Sequence, residues 1–159
     1  MTGNPIYYHK NYKYQLSRDW EIDLNQFIPF PRMEYDVLND FAHLTLDGIL
    51  KLAFAYAWDG CSGPTVDDAT NMRGGLTHDG LCQLMREGLL PQTYLEYANR
   101  ILQEICKADG MNSFRAWYYY QGVHLFGTKA ARTGEQPYPE QCSPCGDTNR
   151  PDCPKEGEA

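Results

Sequence analysis

The sequence lacks a hydrophobic run approaching the ~18 residues needed to cross a bilayer, so no membrane span is expected. Its first residues, Met1-Thr2-Gly3-Asn4-Pro5, lack the basic-then-apolar pattern of a signal peptide. If the protein leaves the cytoplasm, it is expected to travel by another route, such as inside a virus particle. Positive charge is also scarce, with 14 Lys and Arg against 21 Asp and Glu and a net charge of −7. Phosphate backbones need a basic face, so a nucleic-acid partner is not expected. There are no internal repeats, and no serine stands out as a nucleophile.

Six cysteines are present, Cys61, Cys82 and Cys106 in the body and Cys142, Cys145 and Cys153 near the end. Without a signal peptide, reduced thiols are preferred. Cys142-Ser-Pro-Cys145 with Cys153 has half of a zinc spacing without a nearby fourth ligand. Metal binding, disulfide pairing and unpaired thiols all stay open there.

What the chain does have is apolar and aromatic material: 42% hydrophobic residues and twelve tyrosines among 159 residues, enough for one domain with a real core. The expected organisation is one α+β domain over 1–132, followed by an irregular Pro- and Cys-containing tail over 133–159. Tyr12, Tyr14 and Leu16, then Trp20, Ile22 and Leu24, alternate with polar residues and predict short strands. Asp47-Gly48, between apolar alternations at 41–46 and 49–58, predicts a hairpin with a type I′ turn. In its second strand the small-residue face, Ala53, Ala55 and Ala57, is expected to meet a helix.

Apolar stripes then predict helices near 72–87, 92–107 and 113–126, the last capped by Asn112 or Ser113 and stopped at Gly127. The N-terminal hairpin region should pack on this bundle of about three helices. Asn99 falls on the apolar side of the second helix, where a buried amide must find partners.

The chemistry concentrates between Trp58 and Cys82. Asp59-Gly60-Cys61-Ser62-Gly63-Pro64 predicts a tight loop whose backbone can face a ligand. His78-Asp79 falls on the first helix. If Asp79 faces the loop, the Asp59 and Asp79 carboxylates and loop carbonyls can make a hard oxygen site suited to Ca²⁺. His78 beside that cation can take a proton from water, and Asn99 is the candidate to orient the imidazole. The bland alternative is that His-Asp is a chance dipeptide and that the acids cap a helix or stay solvated. On that alternative Asp67 and Asp68 are no more than a solvated loop; His43 is expected to be an exposed strand residue and His124 a helix residue.

Four motifs in order, Asp59-x-x-Ser62-x-Pro64, His78-Asp79-x-Leu81, Ala98-Asn99-Arg100-Ile101-Leu102 and the run AWYYYQGVHLFG from Ala116 to Gly127, resemble a family of short phage and prophage proteins of unknown function. The same order resembles the small secreted phospholipases A2 of bacteria and fungi over about 56–127. That resemblance implies a calcium-binding bundle of about three helices with His78 as base, Asp79 and Asp59 as calcium carboxylates and Gly60 as a carbonyl ligand. It places Asn99 where the family has the histidine-orienting aspartate, and Cys82 where it has a tyrosine bonded to that aspartate. An amide holds the ring but supplies no charge to imidazolium, which weakens a general base. Two readings follow: a virion-associated or accessory protein, weak or inactive as a hydrolase, whose partners are other phage structural proteins, and a calcium-dependent lipid esterase acting on phospholipid.

Overall fold

A computed structural model describes residues 8–9, 14–58, 60 and 67–132, with backbone only at 8–9 and 126–130. The fold is α+β, two small antiparallel sheets beside three helices. Tyr8–His9 (β1), Tyr14–Leu16 (β2) and Ala57–Trp58 (β7) form one sheet in the order β1-β2-β7. Trp20–Asp23 (β3), Val37–Leu38 (β4), Ala42–Leu44 (β5) and Ile49–Leu52 (β6) form the other, in the order β3-β6-β5-β4. The helices are Met72–Arg86 (α1), Leu95–Ala108 (α2) and Ser113–Ala130 (α3).

The alternating residues do what their period demands. Leu16, Trp20, Ile22, Leu44, Leu50 and Leu52 are buried, while Glu21 and Lys51 between them stay exposed. Each fully buried leucine contributes about 1.5–3 kcal/mol of transfer free energy. The β5–β6 hairpin forms at Asp47-Gly48, but its turn is not type I′. Gly48 N–H bonds the Thr45 carbonyl at 3.0 Å, and positive φ occurs at Gly48 alone within the loop. This is a three-residue loop closed by a glycine bulge. The Phe30 ring explains the residue type, because a Cβ at Gly48 would stand 2.5 Å from its atoms.

The expected strand over 49–58 divides. After Leu52 the chain turns at Phe54-Ala55, where Ala55 takes φ 68, and re-enters as β7 in the other sheet. Asp19 Oδ1 accepts the Phe54 N–H at 2.7 Å, and the Leu16 carbonyl accepts the Ala55 N–H at 2.9 Å. These bonds draw the chain from β6 across to β2. The helix-facing side is also reversed. It is the leucine face of β6 that meets α1, with Gly80 giving way: a Cβ there would be 3.1 Å from Leu52 and 3.4 Å from Leu50.

The predicted stripes of α1 and α2 are otherwise borne out. Leu76, Leu81, Leu84 and Met85 are buried, as are Ala98, Ile101, Leu102 and Ile105, while Leu95 is half-buried. α1 ends at Arg86, and Gly88 just beyond it makes the stop, where the Gly88 and Leu89 N–H groups return to the Met85 and Leu84 carbonyls. A 3-10 turn at Gln92–Tyr94 leads into α2. Asn112 caps α3 through a 2.8 Å bond from the Arg115 N–H to its side chain. α3 does not stop at Gly127 but continues to Ala130; helix hydrogen bonding overrides a single glycine at a cost of about 1 kcal/mol. The expected tail, 133–159, and its three cysteines lie outside the described residues. No helix among the described residues is long and apolar enough to cross a membrane.

Candidate functional site

α1 and α2 pack face to face. A Cβ at Gly74 would lie 2.8 Å from Cys106 Sγ and 3.0 Å from the Leu102 carbonyl, so the two helix backbones approach closely there. One turn further along, that approach brings His78 of α1 against Asn99 of α2. His78 Nε2 stands 2.9 Å from Asn99 Oδ1, with 5% and 2% of the two residues exposed. An amide oxygen only accepts, so Nε2 carries the proton and donates. In the neutral ring Nδ1 is then the basic nitrogen. It lies 3.7 Å from Asp79 Oδ1, beyond a hydrogen bond but within strong charge coupling.

Cys82 completes the group. One helical turn after His78, its Sγ is 3.8 Å from each ring nitrogen. Burial opposes protonation of His78, but the Cys82 sulfur and the Asp79 carboxylate oppose that effect. The net direction is a pKa well above the ordinary imidazole value. The other described cysteine, Cys106, is also free, and burial pushes its thiol up to about 12, which makes it unreactive.

His78, Asp79, Asn99 and Cys82 are thus brought together. Asp59 lies outside the described residues, as does 61–66, so the expected approach of Asp59 to Asp79 is outside them too. Gly60 is described: it is buried with φ 79, and a Cβ there would overlap the Asp67 carboxylate. Of the ligands the resemblance implies for calcium, the described ones are the Asp79 carboxylate and the Gly60 carbonyl, both hard oxygens. Their chemistry fits Ca²⁺. Among the described residues no three His, Cys, Asp or Glu side chains gather as a ready ligand cluster.

Sequence reasoning missed the role of the polar loop before α1. Asp67 is half-buried and accepts the Tyr14 hydroxyl at 3.0 Å, tying the loop to β2. The Tyr14 ring in turn packs on Trp58, 5.4 Å between centroids. Asp68 takes Arg115 of α3 at 2.6 Å and the Thr70 hydroxyl at 2.6 Å, and the Thr70 bond leads in holding its carboxyl below the usual range. Asn71, fully buried, accepts the Asp68 N–H at 3.1 Å and donates to the Tyr119 hydroxyl at 3.1 Å. The loop is therefore a bracket holding α1 against α3, not a solvated segment. The only signal in the sequence was the density of Asp, Thr and Asn before a helix. His43, expected as an exposed strand residue, lies on β5 with its Nε2 2.8 Å from Asp36 Oδ2 at the sheet surface.

Comparison with family models, with curated proteins and with solved structures finds no match to this chain.

Proposed function

We propose that this chain is a phage-encoded virion-associated or accessory protein on a phospholipase A2-like scaffold, weak or inactive as a hydrolase. The observation that carries the reading is the buried 2.9 Å bond from His78 to the Asn99 amide. An orienting partner is retained, but the carboxylate charge that would stabilise imidazolium in a transition state is not. The Cys82 sulfur lies against the same ring where the resembling hydrolases have a tyrosine. The phage assignment rests on the four motifs and their order.

One observation favours the alternative, a calcium-dependent lipid esterase. Because Nε2 is engaged by Asn99, Nδ1 is the nitrogen turned toward Asp79. In that reading Nδ1 takes a proton from water, the hydroxide adds to the ester carbonyl, and the proton leaves with the alkoxide. Calcium, when bound by Asp79 and the Gly60 turn, would supply stabilisation of the oxyanion.

Fatty-acid release from mixed phospholipid micelles, with and without calcium, separates the readings. The scaffold reading expects wild type to release no more than His78→Ala. Calcium-dependent release by wild type that disappears in His78→Ala makes the protein an enzyme. Calcium should raise the melting temperature of wild type and not of Asp79→Ala; equal responses would remove Asp79 as a ligand.

A further inference from the structure

α3 presents a row of large apolar side chains to solvent. Phe114 is 76% exposed, Trp117 48%, Tyr118 46% and Leu125 67%. At about 100° per residue these four, with Gln121, fall within roughly 50–60° of one line along the helix. The row runs about 16 Å from Phe114 to Leu125. The opposite side of the helix, Ala116, Tyr119 and Val123, is the side buried in the protein. The row therefore contributes nothing to this core, and solvating it is costly.

We propose that this row is the contact between two copies of the chain, which associate reversibly through antiparallel α3 helices. The first argument is charge. The sequence of α3 contains no Asp or Glu, Arg115 beside the row is paired with Asp68 of the same chain at 2.6 Å, and the His124 ring lies 3.3 Å from Glu96. The row has no charge to complement an acidic or basic partner. It suits an uncharged apolar surface, and another copy of itself is one. The second argument is register. A two-fold axis midway between Tyr119 and Tyr120 sets Phe114 of one copy level with Leu125 of the other. It also sets Tyr118 level with Gln121 and Trp117 level with Gly122, so the large side chains of each copy lie along the helix of the other in an isologous contact. The third is area. Aromatic side chains carry 150–250 Å² each, so these partial exposures sum to on the order of 500 Å² per copy. Two copies bury about 1,000 Å², the lower bound of a specific interface and below that of a permanent dimer. The association is thus weak and concentration-dependent.

The net charge of −7 on each copy adds a signature. Like-charged chains repel outside the contact, so salt should strengthen the association, the reverse of a contact made by ion pairs. Sedimentation equilibrium of the full chain over micromolar to near-millimolar concentrations, in low and high salt, tests this. The mass should rise from 18.2 kDa toward twice that, at lower concentration in high salt. Phe114→Glu and Leu125→Glu should each stay monomeric with an unchanged circular dichroism spectrum, since both side chains are mostly exposed. Wild type that stays monomeric at every concentration overturns the proposal, as do glutamate variants that dimerise like wild type. A monomeric wild type that sediments with phosphatidylcholine vesicles, while the variants do not, overturns it too and assigns the row to a lipid surface.

Discussion

His78 is where single-atom detail governs the behaviour of the protein. Its ring has three neighbours: an amide that fixes orientation, a carboxylate and a sulfur that both favour a proton. The folded pKa lies above the ordinary value of about 6.5. The group's stabilising contribution is therefore fully present below that unfolded value, and it is lost as pH rises through the higher folded pKa. Asp79→Asn and Cys82→Ser each remove one source of the upward pull, so each should lower the pKa, read from the imidazole resonances in a pH titration. A value that rises or stays fixed in both variants would show that burial and Asn99 alone set it. That the two residues meet was legible in the sequence, because Asn99 shares the apolar side of α2 with Ala98 and Leu102. The raised pKa was less legible, because it depends on the distances from Cys82 and Asp79 to the ring.

Helix-on-helix and helix-on-sheet approach is set by two glycines of α1. At Gly74 the neighbours are a backbone carbonyl and a buried sulfur, neither of which can swing away. Alanine there gains helix propensity of up to about 1 kcal/mol but must push α2 outward, and overpacking of this kind costs about 1–3 kcal/mol. Gly74→Ala should therefore lower the urea midpoint. An unchanged or higher midpoint would mean that α1 and α2 are not in such close contact. At Gly80 the neighbours are the flexible ends of Leu50 and Leu52, which can shift by a few tenths of an ångström, so alanine is better tolerated there. The sequence reading assigned the small residues to the strand because Ala53, Ala55 and Ala57 alternate correctly. It missed that Ala55 leaves the strand, and that the recess lies on the helix. Periodicity reports which residues share a face, but not where a strand breaks. Here the break was decided by the Asp19 and Leu16 bonds to Phe54 and Ala55, contacts about 35–40 positions apart that no local pattern contains.

For the whole molecule, the α+β class, the three helices and the packing of their apolar sides followed from residue spacing. The links that fix the helices to one another did not. Arg73 of α1 makes a two-pronged contact with Asp109 beyond α2, and Asn71 and Asp68 hold α3, all through polar residues that sequence alone places in solvent. This frame fixes His78 and Asn99 at hydrogen-bond distance, the pair on which the proposed function rests. The most direct test is restoration. Asn99→Asp, alone and with Cys82→Tyr, should be compared with wild type for calcium-dependent fatty-acid release from mixed micelles. Removing the equivalent charge from a serine-protease triad costs about 10⁴-fold, so restoring it here should raise release by on the order of a hundredfold or more. The two changes act on one network and should not simply add. The single variant keeps the test open if tyrosine cannot be accommodated at a buried position. The account predicts background release from wild type, clear release from Asn99→Asp, and its loss when His78→Ala is added. Release by wild type that Asn99→Asp fails to increase, or silence in every restored variant, would contradict it.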